Sequence, residues 1–215
     1  SKGEINSLQN IFNYLYIIQR SGFARVRFND RESIVGSTGS PLDIGTGLGL
    51  RGFDYISNVY GTQHQFSVIN TGRMLHFLDA ERGKHNRFAA DGMLSPSDTY
   101  GHHNYFTKKL REYWTIKDPN NLLLPAGDKP YYDNPCYLGG IASVFDYVNQ
   151  SVYYTFTQRK ESQGGVIITT GTAETIEYNE GSNQYKGFQP FTPKVYFSFK
   201  VSYLSPDPVT PYKLY

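Results

Sequence analysis

The sequence has few of the features that would identify a particular class of protein. A single cysteine, Cys136, occurs among its 215 residues, so the chain has no framework of internal disulfides. This is typical of a protein assembled in a reducing compartment. Lysine and arginine number 21 against 19 aspartates and glutamates, a formal net charge of +2. Because so small a charge creates no strong surface field, nucleic-acid binding is not expected as the main activity.

Long apolar runs are also missing from the chain. No segment approaches the roughly 20 apolar residues that a membrane-spanning helix needs, so we expect no membrane segment. The first residues, Ser1 to Glu4, do not have the layout of a signal peptide and include no initiator methionine. We interpret the chain as a processed product or as a piece of a longer polypeptide.

Aromatic residues are plentiful instead. They make up 16% of the sequence, with 19 tyrosines and 14 phenylalanines, whereas charged residues make up only 19%. Aromatic side chains pack well on half-buried pleated surfaces, so this composition favours strands over helices. A length of 215 residues is enough for one large all-β domain with a substantial core.

One short pattern occurs three times. A hydrophobic strand ends at Asp79, Asp146 or Asn179, a polar turn follows, and an aromatic-rich strand returns. Each copy is predicted to be a β-hairpin in which the Asp or Asn side chain caps the turn by bonding the backbone two residues later. The copies are 78–88, 145–156 and 178–188.

Recurrence of so small a unit predicts the fold class. One hairpin cannot bury its apolar face alone, so several are expected to stack. We predict an all-β, mainly antiparallel protein made of propeller-like stacked sheet units. Further strands are predicted at Phe23–Phe28, Gln65–Asn70, Arg73–Leu78, Val166–Thr170 and Val195–Tyr203.

Two helices are predicted in addition. Apolar residues from Ile5 to Ile18 fall at spacings of three and four, which predicts an amphipathic helix over 4–19 ended by Ser21 and Gly22. It would either pack on the domain or dock on a neighbouring subunit. A second, short helix is predicted from an entrance at Ser95–Asp98 to about Trp114, within an irregular insertion over 89–139.

The remaining segments complete the predicted organisation. Residues 36–50 are rich in glycine but lack the Gly-Lys-Ser/Thr ending of a phosphate-binding loop, so we interpret them as an adaptable loop. Pro206, Pro208 and Pro211 are expected to stop sheet pairing. The predicted divisions are an N-terminal arm at 1–22, the β domain at 23–204 and a proline-rich extended tail at 205–215.

Candidate catalytic and metal-binding groups do not form a known pattern. Adjacent His102 and His103 point in different directions on any regular element, and no cysteine supports a zinc site. Ser67 is not in a nucleophile elbow, and Cys136 has no basic neighbour closer in sequence than Lys129. We predict no catalytic residue, no metal and no cofactor. The other histidines are His64, His76 and His85.

Several stretches together resemble one protein family. The chain is similar over most of residues 40–200 to large virion structural proteins of crAss-like, short-tailed bacteriophages, of the tail muzzle or tail-stabilisation type. The chain is far shorter than such proteins. The stretches that carry the resemblance are Asp43–Gly47, Tyr55–Val68, Phe77–Asp79 with Asn86–Phe88, Phe145–Tyr147 with Val152–Phe156, and Ile176–Asn179 with Phe188–Pro193.

This resemblance implies a non-enzymatic β-rich module in a ring around the tail channel of a virion assembled in the host cytoplasm. Its partners would be other tail proteins and copies of itself, and it would contact DNA in the tail channel transiently. A second hypothesis is a glycan-binding or glycan-cleaving β domain that recognises the host surface through tyrosines and Trp114. A third is a gate or plug that meets DNA in the channel.

Overall fold

The computed structural model describes residues 2–29, 32–35, 41–44, 49–114, 133–136, 139–163, 166–199, 202–205 and 212–214. Their secondary structure is mainly antiparallel β-sheet, as the composition predicts. In the described residues, no helix has both the length and the apolar character needed to cross a membrane.

The first sheet has four antiparallel strands. A two-stranded ribbon interrupts it between the third and fourth strands. In chain order the strands of this region are β1 (Ile5–Ile11), β2 (Tyr14–Gln19), β3 (Gly22–Asn29), the ribbon strands β4 (Glu32–Val35) and β5 (Pro41–Ile44), and β6 (Gly49–Ser57). The order across the sheet is β1-β2-β3-β6.

The prediction of an N-terminal helix over 4–19 is wrong. Residues 5–19 form the β1–β2 hairpin, in which Ile11 pairs with Tyr14 across a two-residue turn. Phe12 and Asn13 have φ of 54° and 64°, the left-handed pair that makes a tight hairpin turn compatible with strand twist. The apolar spacing fitted a helix, but the same residues also supply apolar positions to two strands that pack on the second sheet.

The second sheet follows a 3-10 turn at Gln65–Ser67. The strand predicted over 65–70 is therefore reduced to its last two residues. The strands are β7 (Ile69–Asn70), β8 (Leu75–Asp79), β9 (Lys84–Ala89) and β10 (Gly92–Leu94), in the order β10-β9-β8-β7.

Two helices lie after β10, in the region where one was predicted. They are α1 (Pro96–Thr99) and α2 (His103–Trp114). Gly101 and His102, with φ of 91° and 73°, separate them, because a left-handed pair cannot continue a right-handed helix. The predicted end at Trp114 is confirmed for the backbone; its side chain lies outside the described residues.

The third sheet contains the second and third copies of the repeat. Its strands are β11 (Ile141–Asp146), β12 (Ser151–Phe156), β15 (Glu174–Asn179) and β16 (Gln184–Gln189), in the order β11-β12-β15-β16. Between β12 and β15, a separate ribbon is formed by β13 (Arg159–Gln163) and β14 (Val166–Thr170).

The C-terminal segment differs from its prediction. In place of one strand at 195–203 there are β17 (Phe197–Phe199) and β18 (Ser202–Ser205), and β19 (Tyr212–Leu214) pairs with β18. Pairing thus resumes after the last proline, since proline removes a backbone donor only at its own position. Residues 206–211 lie outside the described part of the chain.

Two apolar clusters join the three sheets. The first lies between sheets one and two and is made of Ile11, Tyr16, Ile18, Phe23, Leu75, Phe77 and Phe88. The second joins sheet two, α2 and sheet three; it includes Leu78, Phe106, Leu110, Phe145, Val152, Tyr154, Phe156 and Ile176. The sheets are therefore packed in the order in which they occur along the chain.

Candidate functional site

The three repeated hairpins share one backbone geometry. In each copy the Asp or Asn pairs with the residue five positions later, so four residues form the loop. The fourth loop residue has positive φ in every copy: 65° at Gly83, 53° at Gln150 and 51° at Asn183. Glycine adopts this conformation freely and asparagine tolerates it. The sequence repeat is thus a repeat of structure.

The predicted capping of these turns is confirmed, with one change. In every copy the side-chain Oδ1 accepts a hydrogen bond from the backbone N–H three residues later, at 3.2, 3.2 and 2.9 Å for Asp79, Asp146 and Asn179. The predicted bond to the residue two positions later occurs only at Asp146, from the Val148 N–H at 2.8 Å. Because the loop has four residues, the hydrogen bond reaches the N–H of the third residue after the Asp or Asn rather than that of the second.

Asp79 has a second role that the other copies lack. Its buried carboxylate also accepts hydrogen bonds from the Gly61 N–H and the Gln63 side chain, each at 3.3 Å. Burial raises the pKa of the Asp79 carboxyl, while Arg82 and these hydrogen bonds oppose the rise. Asp79 therefore fastens the linker between the first and second sheets to the first repeated turn.

A chain of four polar side chains, three of them buried and the fourth, Tyr185, partly buried, crosses the junction of the second and third sheets. Glu180 Oε1 lies 2.8 Å from His76 Nε2, His76 Nδ1 lies 3.0 Å from His85 Nε2, and His85 Nδ1 lies 2.8 Å from the Tyr185 hydroxyl. We call these four residues the histidine relay. His76 and His85 lie on β8 and β9, whereas Glu180 and Tyr185 belong to the β15–β16 hairpin.

With an ionised carboxylate and two neutral imidazoles, one arrangement of protons satisfies the whole relay. The glutamate accepts from His76 Nε2–H, which leaves His76 Nδ1 as the acceptor for His85 Nε2–H. His85 Nδ1 then accepts from the Tyr185 hydroxyl. Both imidazoles are neutral in this arrangement, and every hydrogen bond points toward Glu180.

The surroundings of the relay favour these neutral imidazoles. Both histidine side chains are completely buried, and the rings of Tyr154 and Tyr178 lie 5.1 and 5.2 Å from that of His85. Burial lowers the pKa of His85 well below its ordinary value, and the proximity of His76 lowers it further. Burial also lowers the pKa of His76, against the opposing effect of Glu180.

Neighbouring turns hold the glutamate in place. Its backbone N–H donates to the Gln150 carbonyl at 2.8 Å, which ties the third repeated turn to the second. Arg73 donates to the Gln150 side chain and places its guanidinium 3.9 Å from Glu180 Oε2. The relay thus has charged neighbours at its carboxylate end and aromatic neighbours at its tyrosine end.

The remaining histidines are dispersed. His64 Nδ1 is 3.1 Å from Asp133 Oδ1, and His103 Nδ1 is 2.6 Å from Asp98 Oδ1. The ring of His102 instead packs on Tyr185, with 4.4 Å between centroids, so the two adjacent histidines do diverge as predicted. Among the residues that the structure describes, no three His, Cys, Asp or Glu side chains are grouped to hold a metal ion.

The nucleophile candidates are also accounted for. Ser67 is buried, and its hydroxyl donates to the His64 carbonyl at 2.7 Å. Cys136 is exposed and lines a cavity of about 290 Å³ together with Phe66, Ser143 and Tyr196. Lys129 lies outside the described residues, and so do residues 36–40 and 45–48 of the glycine-rich stretch. The loop predicted over 36–50 is wrong for the described part, because Pro41–Ile44 form β5 and Gly49 and Leu50 begin β6.

The sequence analysis missed the relay, although part of it was available. The four-residue loop that begins after Asp79 sets the register, in which Leu78 pairs with His85 and His76 with Arg87. His76 and His85 are therefore diagonal neighbours on one face of the hairpin. No comparable signal points to Glu180 and Tyr185, because their approach depends on packing between sheets.

Comparison with known proteins gives two matches. A family model described as Crassvirus muzzle protein matches residues 1–207. A protein named "Muzzle protein", from Bacteroides phage crAss001, is 30% identical over 156 residues, which cover 72% of this chain and 10% of that protein.

Proposed function

The chain belongs to the crassvirus muzzle protein family, and from this premise we propose that it is a non-enzymatic structural component of a bacteriophage virion. It works in the tail, as part of the muzzle or nozzle assembly around the DNA channel. The observation that carries this proposal is the match to the family model over residues 1–207. The relative spans far more than this chain, so the role is carried over as a proposal for this part.

The packing of the molecule supports a mechanical role. Two apolar clusters join three consecutive four-stranded sheets, and the relay adds directional hydrogen bonds to one of the two junctions. Three of the four relay side chains, those of His76, His85 and Glu180, are buried. The relay therefore specifies how two sheets fit together, because misfitting would leave these polar groups without partners.

We also propose that the sheets are propeller-like units. Each has four antiparallel strands, the size of one propeller blade, and consecutive sheets pack against each other. Copies of the chain would assemble into a symmetric ring through heterologous contacts, with other tail proteins as neighbours and DNA passing transiently through the channel. Assembly would take place in the host cytoplasm.

Purified virions provide the test. Mass spectrometry should detect peptides from residues 2–199 in gradient-purified particles, and a cryo-EM reconstruction should place the three sheets at the tail. Antibody labelling directed to an exposed loop such as 147–150 should mark the same end of the particle. Virions that contain no such peptides, or density for this chain only in the capsid shell, would overturn the proposal.

The rival function, recognition of host glycans, has less support. Glycan-binding faces expose aromatic rings. Tyr14, Tyr55 and Tyr147 are exposed, but Tyr113, Tyr154 and Tyr178 are almost completely buried, and the side chain of Trp114 lies outside the described residues. Binding to a glycan array, or release of reducing sugar that is lost when one acidic residue is changed, would favour the rival. Binding to DNA that weakens steeply with salt would favour a channel gate.

A further inference from the structure

A cavity of about 290 Å³ lies where three connecting segments of the chain meet. These segments lead into β7, β11 and β17, and they contribute Phe66, Asn134 and Tyr196, respectively, to the lining. Strand β11 itself contributes Ala142 and Ser143. The cavity is therefore built from the connections between sheets, and it is separate from the histidine relay.

Hydrogen bonds and packing hold the walls of the cavity in place. The Ser143 hydroxyl donates to the Phe66 carbonyl at 2.5 Å, which ties β11 to the 3-10 turn. The hydroxyls of Tyr196 and Thr155 lie 2.6 Å apart, and Tyr196 packs against the small apolar cluster that contains Tyr153. Because these contacts are internal to the chain, the cavity is formed before a ligand arrives, as is usual for binding pockets.

The lining is mainly apolar and carries a single charge. Its charged residue, Lys194, is exposed and forms no ion pair within the described part of the chain. No carboxylate is found among the described lining residues, whose other polar groups are two amides, one hydroxyl and the Cys136 thiol. The apolar lining consists of Phe66, Val68, Pro135, Ala142, Val195 and the ring of Tyr196. A complementary ligand is therefore apolar, with a negative charge beside Lys194.

The volume of the cavity indicates the size of that ligand. An apolar cavity of about 150 Å³ binds benzene, so 290 Å³ accommodates one aromatic ring together with several neighbouring atoms. The ring would contact Phe66 and Tyr196, whose own rings favour offset or edge-to-face partners. A carboxylate next to the ring would stay near solvent, where the exposed Lys194 ammonium can pair with it.

We propose that the cavity binds an aromatic side chain that has a carboxylate beside it, on an exposed segment of another tail protein. An aromatic residue that fills a pocket is a common anchor of protein interfaces. An ion pair at the edge of such a pocket mainly improves discrimination between partners. The identity of the partner as a tail protein rests on the function proposed above, whereas the preference for an acidic, aromatic segment rests on the cavity alone.

Alkylation of Cys136 by iodoacetamide tests the proposal in the whole 215-residue chain. Cys136 is the single cysteine of the sequence and lines the cavity, so a bound peptide should slow its reaction. The probes are three capped peptides, Gly-Tyr-Asp-Gly, Gly-Tyr-Asn-Gly and Gly-Ala-Asp-Gly. At saturation the first should slow alkylation at least about tenfold. The second should need roughly three to five times more peptide for the same protection, because an exposed ion pair adds modestly to affinity. The third should not protect.

A pair of lysine variants tests the role of Lys194. Lys194→Gln should abolish the difference between the Tyr-Asp and Tyr-Asn peptides. Lys186→Gln, at an exposed lysine on β16, is the matched control and should retain the difference. Both side chains are exposed, so we expect the melting temperature to be the same in the two variants and the parent.

Isothermal titration calorimetry of the same peptides gives an independent measure of affinity. The inference would be overturned if the Tyr-Asp peptide did not bind, if the alanine peptide bound equally well, or if the Tyr-Asn peptide bound as tightly as the Tyr-Asp peptide. Binding without protection of Cys136 would place the peptide elsewhere and would also overturn it. These outcomes concern the cavity in solution, so they are distinguishable from absence of the chain in virions.

Discussion

Glu180 and His76 form a buried hydrogen bond of 2.8 Å although 104 residues separate them in the chain. The bond joins the third repeated turn to β8, one of the two inner strands of another sheet. Neither partner is accessible to solvent, with 1% or less of each side chain exposed. The bond therefore stabilises the sheet junction only while both groups are present and in the correct protonation state.

Removal of the carboxylate should destabilise the protein. Glu180→Ala would leave the His76 N–H buried without its acceptor, at a cost of about 2–3 kcal/mol in the free energy of unfolding. Glu180→Gln retains an acceptor oxygen and should cost less. Urea denaturation measures both values. Equal stability of the parent and Glu180→Ala proteins would show that the hydrogen bond does not support the junction.

Stability should fall as the pH decreases through the histidine range. Burial lowers the pKa of both relay histidines, so below pH 6.5 the unfolded chain takes up protons that the folded protein does not. The folded state is fully stabilised above that pH and loses up to about 1.4 kcal/mol per pH unit and per histidine below it. The titratable and charged groups that face the two histidines, and so affect their protonation, are Glu180, Arg73, Arg87 and Tyr185.

Denaturant titrations at intervals between pH 7.5 and 5.5 provide the measurement. His85→Gln should flatten the dependence of unfolding free energy on pH, because one of the two groups no longer titrates. Val148→Ala changes an exposed loop residue that does not titrate and should preserve the slope. A slope that is the same in all three proteins would contradict the assignment of the pH effect to the relay.

Gly83 should not tolerate a side chain. It has φ of 65°, and an added Cβ would lie 2.6 Å from Thr107 Cα in α2. Gly72 has a similar φ of 82°, but a Cβ there would meet nothing within 4 Å. Both alanine variants bear the left-handed strain of about 1–2 kcal/mol, so Gly83→Ala should be less stable than Gly72→Ala by at least about 1 kcal/mol. Thermal melts of the pair decide this.

The cap of the second turn should be replaceable by that of the third. Asp146 accepts hydrogen bonds from two backbone N–H groups, whereas Asn179 caps the equivalent loop with an amide oxygen. Asp146→Asn keeps the two backbone caps and loses only the hydrogen bond that Oδ2 accepts from the Asn149 side chain, so it should cost about 1 kcal/mol, whereas Asp146→Ala should cost about 2–3 kcal/mol. If chemical denaturation gave equal losses for the two, the turns would not be equivalent in their capping.

The local features of the fold were the predictable ones. The three Asx-turned hairpins, the helix ending at Trp114 and the strand at Val166–Thr170 are all present. Each is defined by residues close together in sequence. Of the candidate site, only the contact between His76 and His85 was predictable. These two residues are close in sequence, and the loop after Asp79 is sufficient to set their register.

The failures occurred where local signals were ambiguous. Between Ile5 and Ile18 the apolar spacing suits a helix. Phe12 and Asn13 instead form a tight turn, and the hairpin is stabilised because its two strands pack on the second sheet. A similar ambiguity affects 65–70, where a 3-10 turn replaces most of a strand. In both cases burial against another element outweighed local preference.

The amino-acid sequence by itself determined that this protein is a mainly antiparallel β protein with a thrice-repeated hairpin, because turn capping and strand preference act over a few residues. The order of its motifs also indicated its resemblance to a phage muzzle family. Only the tertiary structure decided which hairpins face each other. It brought Glu180 and Tyr185 to the two histidines, since burial depends on which surfaces meet across long stretches of chain.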